Sequence, residues 1–282
     1  MIITVPQLAA DALGSILASD MQRAFGSSSA RLTEIIPVAA RLALDCIGTS
    51  DALYHNVEHT MLVTLVARDI AYGRMLLVPT NPDDHVHLFV ACLMHDIGYV
   101  RGVLKSDTAS GYVIDDSGRK VSLPRGASDA ALQPYHVDRS KLFVLDRMAA
   151  IEELDAARIA RAIEATRFPP SAALEEEHID EEGSLVRAAD LIGQLGDPHY
   201  LQKANALYYE FEEIGINRQR GYNSPADLIE QYPRFYWDKV FPRVQTAIRY
   251  LNVTAAGRQW IANLYSNVFR AEREIILWGL PD

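Results

Sequence analysis

Three short strings set histidine and aspartate inside otherwise apolar surroundings: Tyr54-His55-Asn56-Val57-Glu58-His59, Leu93-Met94-His95-Asp96-Ile97-Gly98 and Arg187-Ala188-Ala189-Asp190-Leu191. Ionisable groups are seldom buried without a partner, so three such interruptions predict one shared polar site. Imidazole nitrogens with carboxylate oxygens are ligands for zinc, manganese, iron, nickel or cobalt, and open carboxylate positions also suit magnesium. His59, His95, Asp96 and Asp190 are the candidate ligands, for one or two divalent ions. Taken singly, each is more often a satisfied buried polar group; the set carries the expectation.

The spacing sets conditions on the backbone. His55 and His59 are four residues apart and share a face if both lie on one helix. His95 and Asp96 are neighbours, which on a continuous helix point about 100 degrees apart. A helix ending at that pair, with Gly98 following, is expected to turn both toward one ion.

These residues also resemble a known family. His59, His95-Asp96 and Asp190 follow the order H…HD…D of the HD superfamily of metal-dependent phosphohydrolases, which implies an all-α HD-domain helical bundle. YHNVEH is similar to the YHNxxH of the cyclic nucleotide phosphodiesterase catalytic domain, RAADLIGQLGDP to its ADLxxP stretch, and IEATRFPP to its LATD segment. The resemblance spans Tyr54 to about Pro198. It implies that His55 is the general acid, that His59, His95, Asp96 and Asp190 bind the first metal, and that Asp96 also reaches a second. His136, in PYHVDRSKLF, resembles the histidine such proteins place near the second metal or the phosphate. Tyr99 stands where HDIGK members have lysine, and Arg167 where LATD has aspartate.

The chemistry stands on elementary grounds as well. A divalent ion lowers the pKa of a bound water and polarises phosphoryl oxygens, while a nearby histidine protonates the leaving group. Arg167, Arg101 and Lys105 are candidates for holding the nonreacting phosphate oxygens.

The elements that must position these groups are mainly helices. Apolar residues recur at helical spacing from Leu8 onward, and predict helices over Val57 to Tyr72, Val86 to Ile97, Ser140 to Leu154, Ala156 to Thr166, Leu185 to Leu195, Tyr200 to Ile214, Ala226 to Gln231, Trp237 to Asn252 and Ala256 to Leu277. Between Ser110 and Pro124, two β-prone runs flank Asp115-Asp116-Ser117-Gly118, which predicts a small β-hairpin. With the loop after it this forms an insertion over 105–135, expected to overhang and narrow the cleft. Residues 1–216 are expected to form the domain that carries the site, and 217–282 a set of C-terminal helices packed on it. His85 and His87 are expected to be solvated, with His87 a candidate to line the cleft; His178, His199 and the Glu175-Glu176-Glu177 run are expected at the surface. The aromatic concentration from Tyr208 to Trp237 is expected to pack the core.

Composition narrows the partners. The 282 residues are 49% hydrophobic and 23% charged, with a formal net charge of −10. That balance argues against general nucleic-acid binding, which relies on basic residues; a bound cation would supply the positive centre a small phosphorylated substrate needs. The two cysteines, Cys46 and Cys92, lie in apolar stretches and indicate no disulfide framework. No signal peptide or membrane-length apolar run is read, so a cytoplasmic location is expected, with a homo-oligomer allowed.

The expected function is hydrolysis of a phosphomonoester or phosphodiester, with a nucleotide among the candidate substrates. Two alternatives stand beside it: an HD-type di-iron oxygenase, in which His136 is an iron ligand, and a noncatalytic nucleotide-binding sensor.

Overall fold

The computed structural model describes residues 3–168 and 179–278. The fold is all-α with one small β-hairpin. Helices α1 (Val5–Phe25) and α2 (Ala30–Ile47) form an antiparallel pair so close that a Cβ on Gly14 would lie 2.8 Å from Pro37 Cα. Next come α3 (Val57–Leu77), α4 (Pro82–Met94), the hairpin of β1 (Tyr112–Val113) and β2 (Lys120–Val121), and a 3-10 stretch over Asp129–Tyr135. It leads into α5 (His136–Arg147), followed by α6 (Ala156–Glu164), α7 (Glu181–Leu195), α8 (Tyr200–Glu213), α9 (Ile216–Arg220) and α10 (Pro225–Phe235). A π-helical turn, Tyr236–Val240, joins α10 to α11 (Phe241–Leu251), and α12 (Ala255–Trp278) closes the described chain.

One buried cluster runs from Leu13 and Leu17 in α1 to Leu264 and Val268 in α12, so residues beyond 217 share a core with those before it. Each fully buried Leu, Ile or Val in it stabilises the fold by about 1.5–3 kcal/mol. At its centre α3 is approached by backbone on two sides. A Cβ on Gly193 of α7 would sit 2.8 Å from Val63 Cα, and one on Gly73 would sit 2.0 Å from the Tyr250 carbonyl oxygen of α11. Only glycine admits these contacts. A satellite cluster of Tyr54, Ala204, Leu207, Tyr208 and Leu228 ties the segment before α3 to α8 and α10.

Several boundaries differ from the periodicity. Asn81 starts α4 earlier than Val86, its Oδ1 accepting from Asp84 N at 2.8 Å. The same helix ends at Met94, before the His-Asp pair rather than after it. α5 occupies His136–Arg147 rather than Ser140 to Leu154.

The hairpin lies where its turn chemistry predicts, with Tyr112 opposite Val121 and Val113 opposite Lys120. Gly118, at φ 76, supplies the left-handed turn residue. Among the described residues, none of the hairpin's own residues lines the cleft. Its first strand is held by Arg139 of α5, whose side chain is fully buried with that of Asp107. Arg139 donates to Asp107 Oδ2 (2.9 Å), Val113 O (2.5 Å), Val100 O (2.8 Å) and Gly98 O (2.6 Å). Of the insertion, Gln133 in the 3-10 stretch lines the cleft.

Candidate metal centre

The tripeptide before α3 does three separate jobs. Tyr54 is buried in the satellite cluster. Asn56 is the N-cap, its Oδ1 accepting from Glu58 N (2.9 Å) and His59 N (3.3 Å). His55 therefore precedes the helix instead of sharing it with His59, yet the two rings lie 5.4 Å apart. The capped first turn aims His59 inward, where it is 4% exposed.

The His95-Asp96 pair turns for a different reason from the one expected. Gly98 does not have positive φ. The bend is at Asp96 itself, at φ −105 and ψ 2, after which Ile97–Tyr99 form a 3-10 turn. Gly98 is required because α5 packs directly on it: an added Cβ would lie 2.0 Å from the His136 carbonyl oxygen. Ser140 holds the same turn, donating to His95 O at 2.7 Å and accepting from Gly98 N at 2.9 Å.

Four donors converge as a result. His59 Nε2 lies 3.2 Å from Asp96 Oδ2 and 3.4 Å from Asp190 Oδ1, while His95 Nε2 lies 3.1 Å and 3.6 Å from the same two atoms. His95 Nδ1 is engaged by Cys92 O at 2.7 Å, which directs the Nε2 lone pair to the centre. Neither the Nε2 atoms of His59 and His95 nor Asp96 Oδ2 has a hydrogen-bond partner despite burial. Orphaned buried donors and acceptors of this kind fit a cation. Two triads, His55/His59/Asp96 and His59/His95/Asp190, have ligand atoms within 4.8 Å of one another. Burial opposes the charge on Asp96 and Asp190, but the facing histidines outweigh it, and both carboxyls are held below the usual carboxylate range.

Above this cluster His55 is bound to Glu210 of α8. Its Nδ1 lies 2.5 Å from Glu210 Oε2, and the backbone N–H groups of Tyr54 and His55 donate to Oε1 at 2.6 and 3.2 Å. Burial alone would lower the imidazole pKa, but the charge and hydrogen bond of Glu210 outweigh it and raise the pKa to about 9. Tyr99 stacks on the His55 ring at 4.5 Å and contacts the His136 ring at 4.7 Å. His136 Nε2 lies 3.8 Å from Asp96 Oδ1, and burial lowers its pKa.

The centre opens into a cleft of about 170 Å³ lined by His55, Asp96, His136 and Asp190 and also by Thr166 and Arg167. Arg167 is held by Glu164 and by Asp138 (2.7 Å). Arg101 and Lys105 are not there, which corrects their assignment to phosphate. Arg101 joins Asp51 (2.6 Å), Asp129 and Ala127 O, fastening the insertion to the loop before α3, and Lys105 pairs with Asp146 at the surface. His85 and His87 are buried, not solvated. His87 links α4 to α6, with Nδ1 at Asp83 O (2.7 Å) and Nε2 accepting from Asp155 N (2.9 Å), and it does not line the cleft. His199 is exposed as expected; His178 and Glu175 to Glu177 lie outside the described residues. Of the aromatic concentration, Phe211, Tyr232 and Phe235 line the cleft, whereas Tyr236 is buried in the core.

Glu210 escaped sequence reasoning, because YYEFEE reads as an acidic helix end. One signal was present: Glu210 follows Leu207 by three residues on the buried face of α8, where a carboxylate needs a partner.

The fold and site together define an all-helical protein with a buried His/Asp cluster able to hold a metal ion at the base of a cleft. The chain belongs to the Npun_R2479-like family, which it matches over residues 3–274. No curated protein and no solved structure matches it. Among the described residues, no helix is long and apolar enough to cross a membrane.

Proposed function

We propose that this chain is a metal-dependent phosphohydrolase of the HD type, cleaving a phosphomonoester or phosphodiester of nucleotide-like size. The observation that carries this is the convergence of His59, His95, Asp96 and Asp190 with unpartnered, buried Nε2 atoms beneath a protonated histidine. A bound divalent ion supplies the charge that polarises the phosphoryl group and activates water. Glu210 engages His55 Nδ1, which leaves Nε2 as the atom that would carry the transferable proton of this cleft-lining residue. Its pKa near 9 keeps that proton in place through neutral pH, as a general acid for the leaving oxygen requires. His136, neutral at neutral pH, is available beside Asp96 as a further donor or ligand.

The test is elemental analysis of purified protein, coupled to a phosphate-ester panel with Mn²⁺, Mg²⁺, Ni²⁺ or Co²⁺ and to Asp96→Ala. Metal-dependent turnover that Asp96→Ala abolishes is the expected result. The position of His136 3.8 Å from Asp96 also supports a di-iron oxygenase; retained iron with oxygen consumption and no hydrolysis would replace the proposal. Nucleotide binding without turnover or metal would leave a sensor.

A further inference from the structure

His55 lies in the loop before α3, so no helix sets the direction of its side chain. Glu210 grips one edge of the ring, at Nδ1. A single hydrogen bond leaves an imidazole free to swing about the bonded atom, and proton transfer to a departing oxygen tolerates little misplacement.

The face of that ring is covered by Tyr99. The two planes lie within 13° of parallel, with centroids 4.5 Å apart. Glu210 keeps His55 protonated, its pKa raised to about 9, and an imidazolium is attracted to the face of an aromatic ring. Burial and the nearby carboxylates, Asp96 first among them, keep the Tyr99 hydroxyl protonated, so the phenol stays neutral. Tyr99 is itself 1% exposed. Its backbone ends the 3-10 turn that follows Asp96, and its N–H donates to Asp96 O at 3.0 Å. α5 packs on the preceding residue, Gly98, and His136 of α5 brings its ring to 4.7 Å from that of Tyr99. One short turn therefore carries both a candidate metal ligand and the surface against which the acid rests.

We propose that Tyr99 is a positioning residue: its ring, not its hydroxyl, holds the His55 imidazole in register with the metal turn, so that Nε2 meets the departing oxygen. This rests on the hydrolase proposal above and assigns a role that the metal ligands do not fill.

The test exploits leaving groups. A 4-nitrophenolate departs without a proton, whereas a benzyl alkoxide needs one. 4-Nitrophenyl and benzyl esters, as phosphomonoesters and as methyl phosphodiesters, are compared in the Mn²⁺-loaded protein and in Tyr99→Phe, Tyr99→Leu and Tyr99→Met. Both ringless variants should lose about tenfold or more in kcat on the benzyl ester and stay within about threefold on the 4-nitrophenyl ester. Tyr99→Phe should match the wild type on both. Retained 4-nitrophenyl turnover also shows that a variant is folded. Equal losses on the two esters, or a Tyr99→Phe variant as impaired as Tyr99→Leu, overturn the inference. A second readout is independent of turnover. The downfield proton resonance of His55 Nδ1–H against Glu210, identified by its loss in Glu210→Gln, should persist in Tyr99→Phe and broaden or vanish in Tyr99→Leu. An unchanged resonance in Tyr99→Leu overturns the inference as well. If the wild type hydrolyses none of the esters, the hydrolase proposal fails instead, and the resonance alone decides whether Tyr99 holds the ring.

Discussion

His55 Nδ1 and Glu210 Oε2 lie 2.5 Å apart although 155 residues separate them, and the same carboxylate accepts from the backbone of Tyr54 and His55. One side chain of α8 therefore fixes both the path of the loop before α3 and the protonation of the histidine on it. A neutral amide retains the acceptor and loses the charge. Glu210→Gln should thus keep the fold while removing the contribution that outweighs burial, so the His55 pKa falls from about 9 to near or below its ordinary value. An acid must be protonated to act, so activity should fall as pH rises through about 9 in the wild type and at much lower pH in the variant. A pH profile of kcat/KM checks this; equal loss at every pH would refute the role given to the carboxylate.

Ser140 shapes the metal turn from outside it, bridging His95 O and Gly98 N. Ser140→Ala leaves both groups buried without that partner and frees the turn to relax. Metal affinity is expected to fall about 10–100-fold, the usual effect of losing a group that orients a ligand. Competition with a chromophoric chelator measures it, beside thermal unfolding of the metal-free protein. Lower stability with unchanged affinity would make Ser140 a packing residue only.

Arg139 and Asp107 are a fully buried ion pair. Asp107→Ala strands a guanidinium in the interior and should cost about 3–5 kcal/mol. Adding Arg139→Met should recover part of that loss, because the uncompensated charge goes with it. Urea unfolding of the two variants decides: an equal or larger loss in the double variant would place the effect in packing instead.

His85 packs edge-on against Phe25 at 4.9 Å, and burial lowers its pKa to about 4. The unfolded chain binds a proton near pH 6.5 and the folded chain near 4, so the folded state is stable above pH 6.5 and loses about 3 kcal/mol as pH falls through that window. His85→Gln should flatten this part of the stability curve between pH 6.5 and 4, read from denaturant midpoints. An unchanged acid slope would assign the loss to other groups.

The sequence carried the helical fold, the hairpin and the four convergent donors, because apolar periodicity, turn residues and histidines in apolar strings are local signals. What it did not carry was tertiary. Glu210 and Ser140 act on residues 155 and 45 positions away, and neither belongs to a local pattern. Arg101 and Lys105 are candidate phosphate ligands by side-chain chemistry alone, but acids at Asp51, Asp129 and Asp146 hold them elsewhere. His87 was two turns from His95 on one helix, yet the facing N-terminus of α6 claims its Nε2.

The glycine contact between α7 and α3 has a consequence for how the site can vary. Gly193 meets Val63 one turn beyond Asp190 and His59 respectively, so the spacing of these two donors is set by backbone resting on backbone. Side chains of the surrounding core can be exchanged for others of similar volume without changing the bite offered to an ion. A single methyl group at Gly193 would instead act as a wedge, parting the two helices and the two donors together.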